Sequence, residues 1–428
     1  MHTSYGGKRG RGSNRFSNSA PSAPLSPDRD IMEGLRPTSL QAMSIPASSS
    51  VGKEVVAVTG LENIGSYNWM NASSPTIMVP GKFRNRKCSP PEWQNKPTPY
   101  QVPADTGMFF VDQNGFRMPS AVLLPIIMAV DKTREASDSI GGFDWSSEKI
   151  DFVTDRNGLR KLLRWINDAG TNPAPKDFRI DTQLAGNTVL LNRWEAQTRA
   201  KYSGYTYGFN FEKASTDPAL GCEESTGHHR IVKYDLNGLK MVVRFEVDAC
   251  IPTSAAKAST TRKVQSIDDL ANDLAGISLA RRSSADPTPT SSHGLTVING
   301  GAVVSHSSIL ELTTRTQKRA AEFDWNDAYP QLFFSQTPHH FLAVHDRGRF
   351  TEVNKRGLAS PDLKAVERTL QPSLRKLCVA LRQIKDLVVK HGQRGRLTLV
   401  CRQGKLEVFE RTSGASCLPD EVMARFED

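Results

Sequence analysis

Two stretches decide the fold: Val242-Val243-Arg244-Phe245-Glu246-Val247-Asp248-Ala249 and, later, Ile309-Leu310-Glu311-Leu312-Thr313-Thr314-Arg315. In each, apolar and polar residues alternate at period two, the signature of half-buried β-strands whose acids share one face. Glu246 and Asp248 then point the same way, about 7 Å apart at two residues' rise. Like charges that close resist burial unless a cation lies between them, so acids paired on a strand point to a divalent metal. The same alternation also occurs on strands whose acids are merely solvated.

Outward from these stretches, residues 230–234 and 239–249 form a hairpin around Asp235-Leu236-Asn237-Gly238, with glycine at the tip. Upstream, Ile150-Asp151-Phe152-Val153-Thr154-Asp155 reads as a strand running into a helix whose Leu159, Leu162, Leu163 and Ile166 recur at helical spacing. Arg156 stands at that junction, where a guanidinium can hold a phosphate bidentately or pair with Asp151 or Asp155. Residues 187–194 make another strand. Gly208-Phe209-Asn210-Phe211-Glu212 is read as one more, which places a third acid on the sheet. Downstream, 323–334 is aromatic and partly helical, carries Gln331 and is followed by Gln336. A strand at 341–345, a basic amphipathic helix at 373–391 and a hairpin across Gln403-Gly404 complete the pattern.

The 428 residues suffice for a large core, and the expected organisation is a disordered basic tail at 1–50, one catalytic-size domain at 51–412 and a loose C-terminal tail at 413–428. A low-complexity insert is expected at 253–295, enclosing one candidate helix from Ser266 with Ile267, Leu270, Leu274 and Ile277 on one face. The net charge is +10, and residues 345–411 hold 16 Lys and Arg against 7 Asp and Glu, so a polyanion such as nucleic acid is the natural partner of that half. The six cysteines are scattered without a C-x-x-C pair, and the expectation is reduced thiols in an intracellular protein. The longest apolar run, 121–130, is broken by Pro125 and is too short to span a bilayer, so no membrane role is expected.

In chain order these features are an arginine after a strand, G-Φ-x-Φ-E at Gly208 to Glu212, E-x-D at Glu246 and Asp248, E-x-T at Glu311 and Thr313, and Phe334-Ser335-Gln336. That order resembles the decapping exoribonuclease family, RNA 5′-end quality-control nucleases with a PD-(D/E)XK-like core. The resemblance runs from about Tyr100 to Glu410, with residues 51–100 similar to the extension of a fungal branch. It implies an α/β fold with a central, mostly antiparallel curved sheet flanked by helices. It further implies one Mg²⁺ or Mn²⁺ held by Glu212, Asp248 and Glu311, with Glu246 reaching it through water or helping to bind a second ion. Arg156 and Gln336 would position the scissile phosphate of an RNA 5′ end carrying a triphosphate, an incomplete cap or NAD. The family's usual lysine is Thr313 here, and Arg315, on the same strand face, is the candidate stand-in. A weakened member that binds RNA ends and stabilises a nuclear 5′ to 3′ exoribonuclease is the alternative. The nucleus is the expected compartment, with the cytoplasm as the other.

Overall fold

A computed structural model of the chain describes residues 25–81, 89–136, 143–168, 170–171, 174–252, 289–301 and 303–427. In chain order, the elements that position the site are β1 (Val58–Met70), α1 (Leu124–Ala136), β2 (Phe152–Asp155), α2 (Arg156–Asp168), β3 (Phe178–Ala185), β4 (Thr188–Trp194), α3 (Gly208–Ser215), β5 (Ser225–Leu236) and β6 (Leu239–Val247). They continue with β7 (Ile309–Thr316), α4 (Trp325–Ser335), β8 (His339–Asp346), β9 (Arg349–Gly357), α5 (Pro361–His391), β10 (Arg396–Arg402) and β11 (Lys405–Glu410).

A 12-stranded sheet runs in the order Gln41–Met43, β11, β10, β3, β4, β2, β6, β5, β1, Thr76–Val79, Leu295–Asn299, Thr290–Ser292. It is antiparallel except where β2 lies parallel to β4 and β6, and where Leu295–Asn299 lies parallel to Thr76–Val79. Alternation along β6 explains why it is central. Val243, Phe245 and Val247 enter one core with α2, α4 and α5, whereas Val242 enters the core on the other face with α1. The β5–β6 hairpin turns on Asn237 and Gly238, both at positive φ (53° and 84°), as a two-residue turn requires. Helix α2 packs through Leu159, Leu162, Leu163 and Ile166, as its spacing predicts, and each such side chain contributes about 1.5–3 kcal/mol on burial.

A second, 7-stranded sheet has the order Thr216–Asp217, Glu92–Trp93, Ala249–Cys250, β7, β8, β9, Tyr100–Gln101. The expected mostly antiparallel sheet flanked by helices is thus present, with this sheet beside it. The chain crosses between them at Asp248: β6 ends at Val247 in the first sheet, and Ala249 pairs with Leu310 in the second.

Four expectations are corrected. Gly208–Ser215 is a helix, not a strand, because the buried Asp105 carboxylate accepts the amide N–H of Asn210 at 2.9 Å and so satisfies the helix's first turn from outside. Helix α5 starts at Pro361 rather than near residue 373. It runs through Pro372 because Leu363 and Leu370 are in the core and Gln371 both donates to and accepts from the Val56 backbone. Order begins before residue 51, since Gln41–Met43 pairs with β11 and Met43 is buried. The C-terminal residues are packed, not loose: Cys417, Leu418, Val422 and Phe426 join the core on the α1 face. The candidate helix from Ser266 lies outside the described residues, whereas residues 290–299 form the edge of the large sheet.

Candidate metal and phosphate site

The four acids come from different elements. Glu246 is on β6, Asp248 is at the crossing between the sheets, Glu311 is on β7 and Glu212 is on α3. Glu212, Glu246 and Asp248 line one cavity of about 520 Å³. Burial, then the charges of Glu246 and Glu311, raise the Glu212 carboxyl well above the usual carboxylate range. Burial, Glu311 and Glu212 do the same to Asp248, opposed only by the Leu312 N–H that donates to its Oδ2 at 2.7 Å. Glu246 is open to the cavity along its edge, yet the protein around it raises its pKa too, chiefly by desolvation, with Arg156 opposing.

Glu311 is 8% exposed, and its two oxygens face donors: Arg156 Nη1 at 3.0 Å and Gln331 Nε2. Arg156 is at the first position of α2, as the strand-to-helix reading places it, with its guanidinium 5.6 Å over the Phe245 ring. Gln331 is held in turn by Arg160, whose Nη1 donates to Oε1 at 2.6 Å. Burial and the neighbouring Arg164 and Arg156 charges lower the Arg160 pKa to about 10.

The other sequence candidates lie differently. Gln336 does not reach the acids: it sits at the end of α4 in the left-handed region (φ 51°), and its Nε2 donates to the Phe333 carbonyl at 2.6 Å. Thr313 shares the Glu311 face of β7, and its hydroxyl meets His340 Nε2 at 3.0 Å, His340 being the β8 residue in register with Glu311. Arg315 lies 5.1 Å over the Phe323 ring, and its Nη1 donates to the Thr314 carbonyl. Gln331, Arg160 and His340 are the neighbours that strand and motif reading passed over. No sequence signal singles out Gln331: it stands one helical turn before Ser335, but the 3.5 Å approach of Ser335 to Arg156 is made by the docking of α4 on α2.

Below the acids, Arg244 is fully buried on the Glu246 face of β6 and makes a two-pronged pair with Asp155, at 2.7 and 2.9 Å. This pair ties β6 to β2 immediately before Arg156 and so fixes where α2 begins.

Among the described residues, no three side chains of His, Cys, Asp or Glu stand as a ready-made metal cage. The chemistry of the donor set nevertheless fits a hard divalent cation. It is all carboxylate, it is crowded enough for the acids to raise one another's pKa, and Arg156 already supplies a positive charge to one member. Each Glu311 oxygen has two lone pairs, so an ion at this place would share them with Arg156 and Gln331, which fix how the carboxylate is turned.

A family model described as a domain of unknown function, DUF8563, matches residues 43–426. The chain belongs to that family. No curated protein matches the sequence. Among solved structures, Scheffersomyces stipitis Rai1 in complex with (3′-NADP)+ and a calcium ion matches at TM-score 0.55 and 10% identity, over 90% of this chain and 99% of that one. Candida albicans Rai1 in complex with pU5 and Mn²⁺ matches at TM-score 0.53 and 11% identity, over 90% and 99%. At such identity the likeness is one of fold: this DUF8563 chain shares the architecture of the Rai1 structures, a mixed α/β fold with a large curved sheet flanked by helices, as expected. No described helix is long and apolar enough to cross a membrane.

Proposed function

We propose that the chain is a metal-dependent hydrolase of RNA 5′ ends, acting on triphosphate, incompletely capped or NAD-capped RNA. The observation that carries this reading is the convergence of Glu212, Glu246, Asp248 and Glu311 from three elements and the crossing between the sheets, three of them lining a cavity roomy enough for a nucleotide and Glu311 paired with Arg156. The shared fold supports it, since two structures with that fold hold a divalent ion together with a nucleotide or an oligonucleotide.

The carboxylates would hold Mg²⁺ or Mn²⁺, which when bound lowers the pKa of a water and neutralises phosphate charge. The chain's own part is orientation. Arg156 and Arg160, both on α2, present guanidinium groups to an incoming phosphate, and the buried Arg244–Asp155 pair holds their helix in place. The phosphate-positioning part expected of Gln336 would fall to Gln331, the glutamine that donates to Glu311. The basic C-terminal half would steer the RNA.

One observation favours a second reading, that of a weakened member which binds RNA ends and stabilises a nuclear 5′ to 3′ exoribonuclease. Thr313 offers a hydroxyl bonded to a neutral His340 in place of a lysine, and Arg315 is stacked on Phe323. Incubation of the pure protein with 5′-triphosphate and capped RNAs, with Mn²⁺ or Mg²⁺ and with EDTA, separates the two. Release of pyrophosphate or a cap that disappears in EDTA and in Asp248→Ala is the expected result. Metal binding without any product leaves the second reading, and neither metal binding nor product overturns both.

A further inference from the structure

The cavity that holds three of the acids has a further wall built from neutral polar groups. His228, on β5, lines it and is only 2% exposed. Its Nδ1 lies 2.6 Å from Asn68 Oδ1 on the adjacent strand β1. The orientation of Asn68 is settled by a carbonyl: its Nδ2 donates to the Ser89 backbone oxygen at 3.1 Å and also to the Ser225 hydroxyl at 2.9 Å. A carbonyl can only accept, so the Oδ1 end faces the imidazole and Nδ1 must carry the proton. Nε2 is then a bare lone pair, and among the described residues it has no hydrogen-bond partner. Burial and the nearby Arg230 charge hold the ring neutral, so it does not escape this state by taking a second proton. A buried acceptor left unpaired is costly, which makes it a means of selection once a ligand arrives. Phe109 and Phe209, stacked with centroids 4.0 Å apart, supply an aromatic surface in the same cavity.

We propose that His228 Nε2 reads a hydrogen-bond donor on the nucleoside occupying this cavity, either an amine N–H of the base or a hydroxyl of the ribose. The inference rests on the proposed nucleotide-binding role of the site, and adds to it which group on the ligand is selected and by which atom. His228 is a specificity residue here; the acids and Arg156 stand apart from it in role.

The test is calorimetric binding of adenosine 5′-monophosphate, its 2′-deoxy and 3′-deoxy analogues and purine riboside 5′-monophosphate to the full chain and to His228→Phe, with Mn²⁺ titrated separately. One analogue should bind wild type at least tenfold more weakly than the parent nucleotide, and that difference should vanish in His228→Phe. A loss on purine riboside assigns the base amine, and a loss on a deoxy analogue assigns the hydroxyl. Discrimination that persists in the variant, or its absence in wild type, overturns the proposal. If Mn²⁺ binds but no nucleotide does, the nucleotide reading of the site fails and this inference with it. If nucleotides are discriminated but Mn²⁺ is not bound, the metal reading fails and His228 stands. Imidazole nitrogen NMR of the wild-type chain needs no variant: Nε2 of His228 should be unprotonated when free and shift on nucleotide binding, and a protonated Nε2 in the free protein overturns the assignment.

Discussion

At the scale of residues, the two glutamines near the end of α4 make opposite predictions. Gln331 donates to Glu311 and is braced by Arg160, whereas Gln336 caps its own helix. Groups that orient a metal's ligands are commonly worth 10- to 100-fold in metal affinity. Gln331→Ala should therefore weaken Mn²⁺ binding by roughly tenfold or more, while Gln336→Ala leaves it near wild type. Calorimetric titration of both variants checks this, and equal affinities would remove Gln331 from the site. Thr313 carries the second residue-scale prediction. Its hydroxyl is on the Glu311 face of β7, so Thr313→Lys returns a positive charge to the place where phosphate charge develops. Single groups of this kind are worth about 3 kcal/mol in rate, so a gain of up to about a hundredfold in hydrolysis of 5′-triphosphate RNA is expected. Single-turnover rates at saturating Mn²⁺ measure it, and no gain would mean that the side chain of residue 313 does not face the phosphate.

At the scale of elements, α3 is the piece that depends most on a distant partner. Its first turn has no side-chain cap of its own; Asp105, 0% exposed, accepts from Asn210 N–H and from the Thr206 hydroxyl. Asp105→Ala leaves those donors unpaired and should cost about 1–2 kcal/mol of stability, the range for loss of a helix cap. Because Glu212 rides on this helix, Mn²⁺ affinity should fall in the same variant. Hydrogen exchange over residues 208–215 is the direct readout: unchanged protection there would show that the helix stands without Asp105. The C-terminal hairpin turns on Gln403 and Gly404 at φ 50° and 79°, and it too has a distant partner, since the Gln403 N–H donates to Asp177 Oδ1 at 2.8 Å.

At the scale of the whole molecule, the acids make the metal-free protein sensitive to pH in an unusual direction. The Glu212 and Asp248 carboxyls have folded pKa values above their unfolded ones, so between the two the folded state binds more protons. Their contribution to stability is fully present below the unfolded value and is lost as pH rises through the folded one. Asp248→Asn removes one of the repelling charges and keeps an oxygen for the Leu312 N–H. Metal-free Asp248→Asn should accordingly be more stable than wild type at pH 7.5, by on the order of 1 kcal/mol, with the advantage shrinking toward pH 4. Melting temperatures in EDTA across that range test it. A variant less stable than wild type at every pH would mean that the acids do not repel one another.

Much of this molecule is written locally. Period-two alternation placed β6 and β7, leucine spacing placed α2 with Arg156 at its start, and the Asn237-Gly238 and Gln403-Gly404 turns placed the hairpins, because each depends on residues within one or two turns of chain. The order of the acids along the chain was legible for the same reason. Tertiary structure alone decided the rest. Phe209 and Phe211 carry a strand's alternation, yet a carboxylate more than a hundred residues away, that of Asp105, closes the helix that carries Glu212. Burial of Leu363 and Leu370 and the clasp of Gln371 on Val56 carry α5 through Pro372. Which glutamine serves Glu311 follows from how α4 docks against α2, and which lone pair His228 offers follows from a carbonyl at residue 89. Such pairings cost little chain entropy once the sheets have brought the partners together, and none of them leaves a periodic mark in the residues themselves.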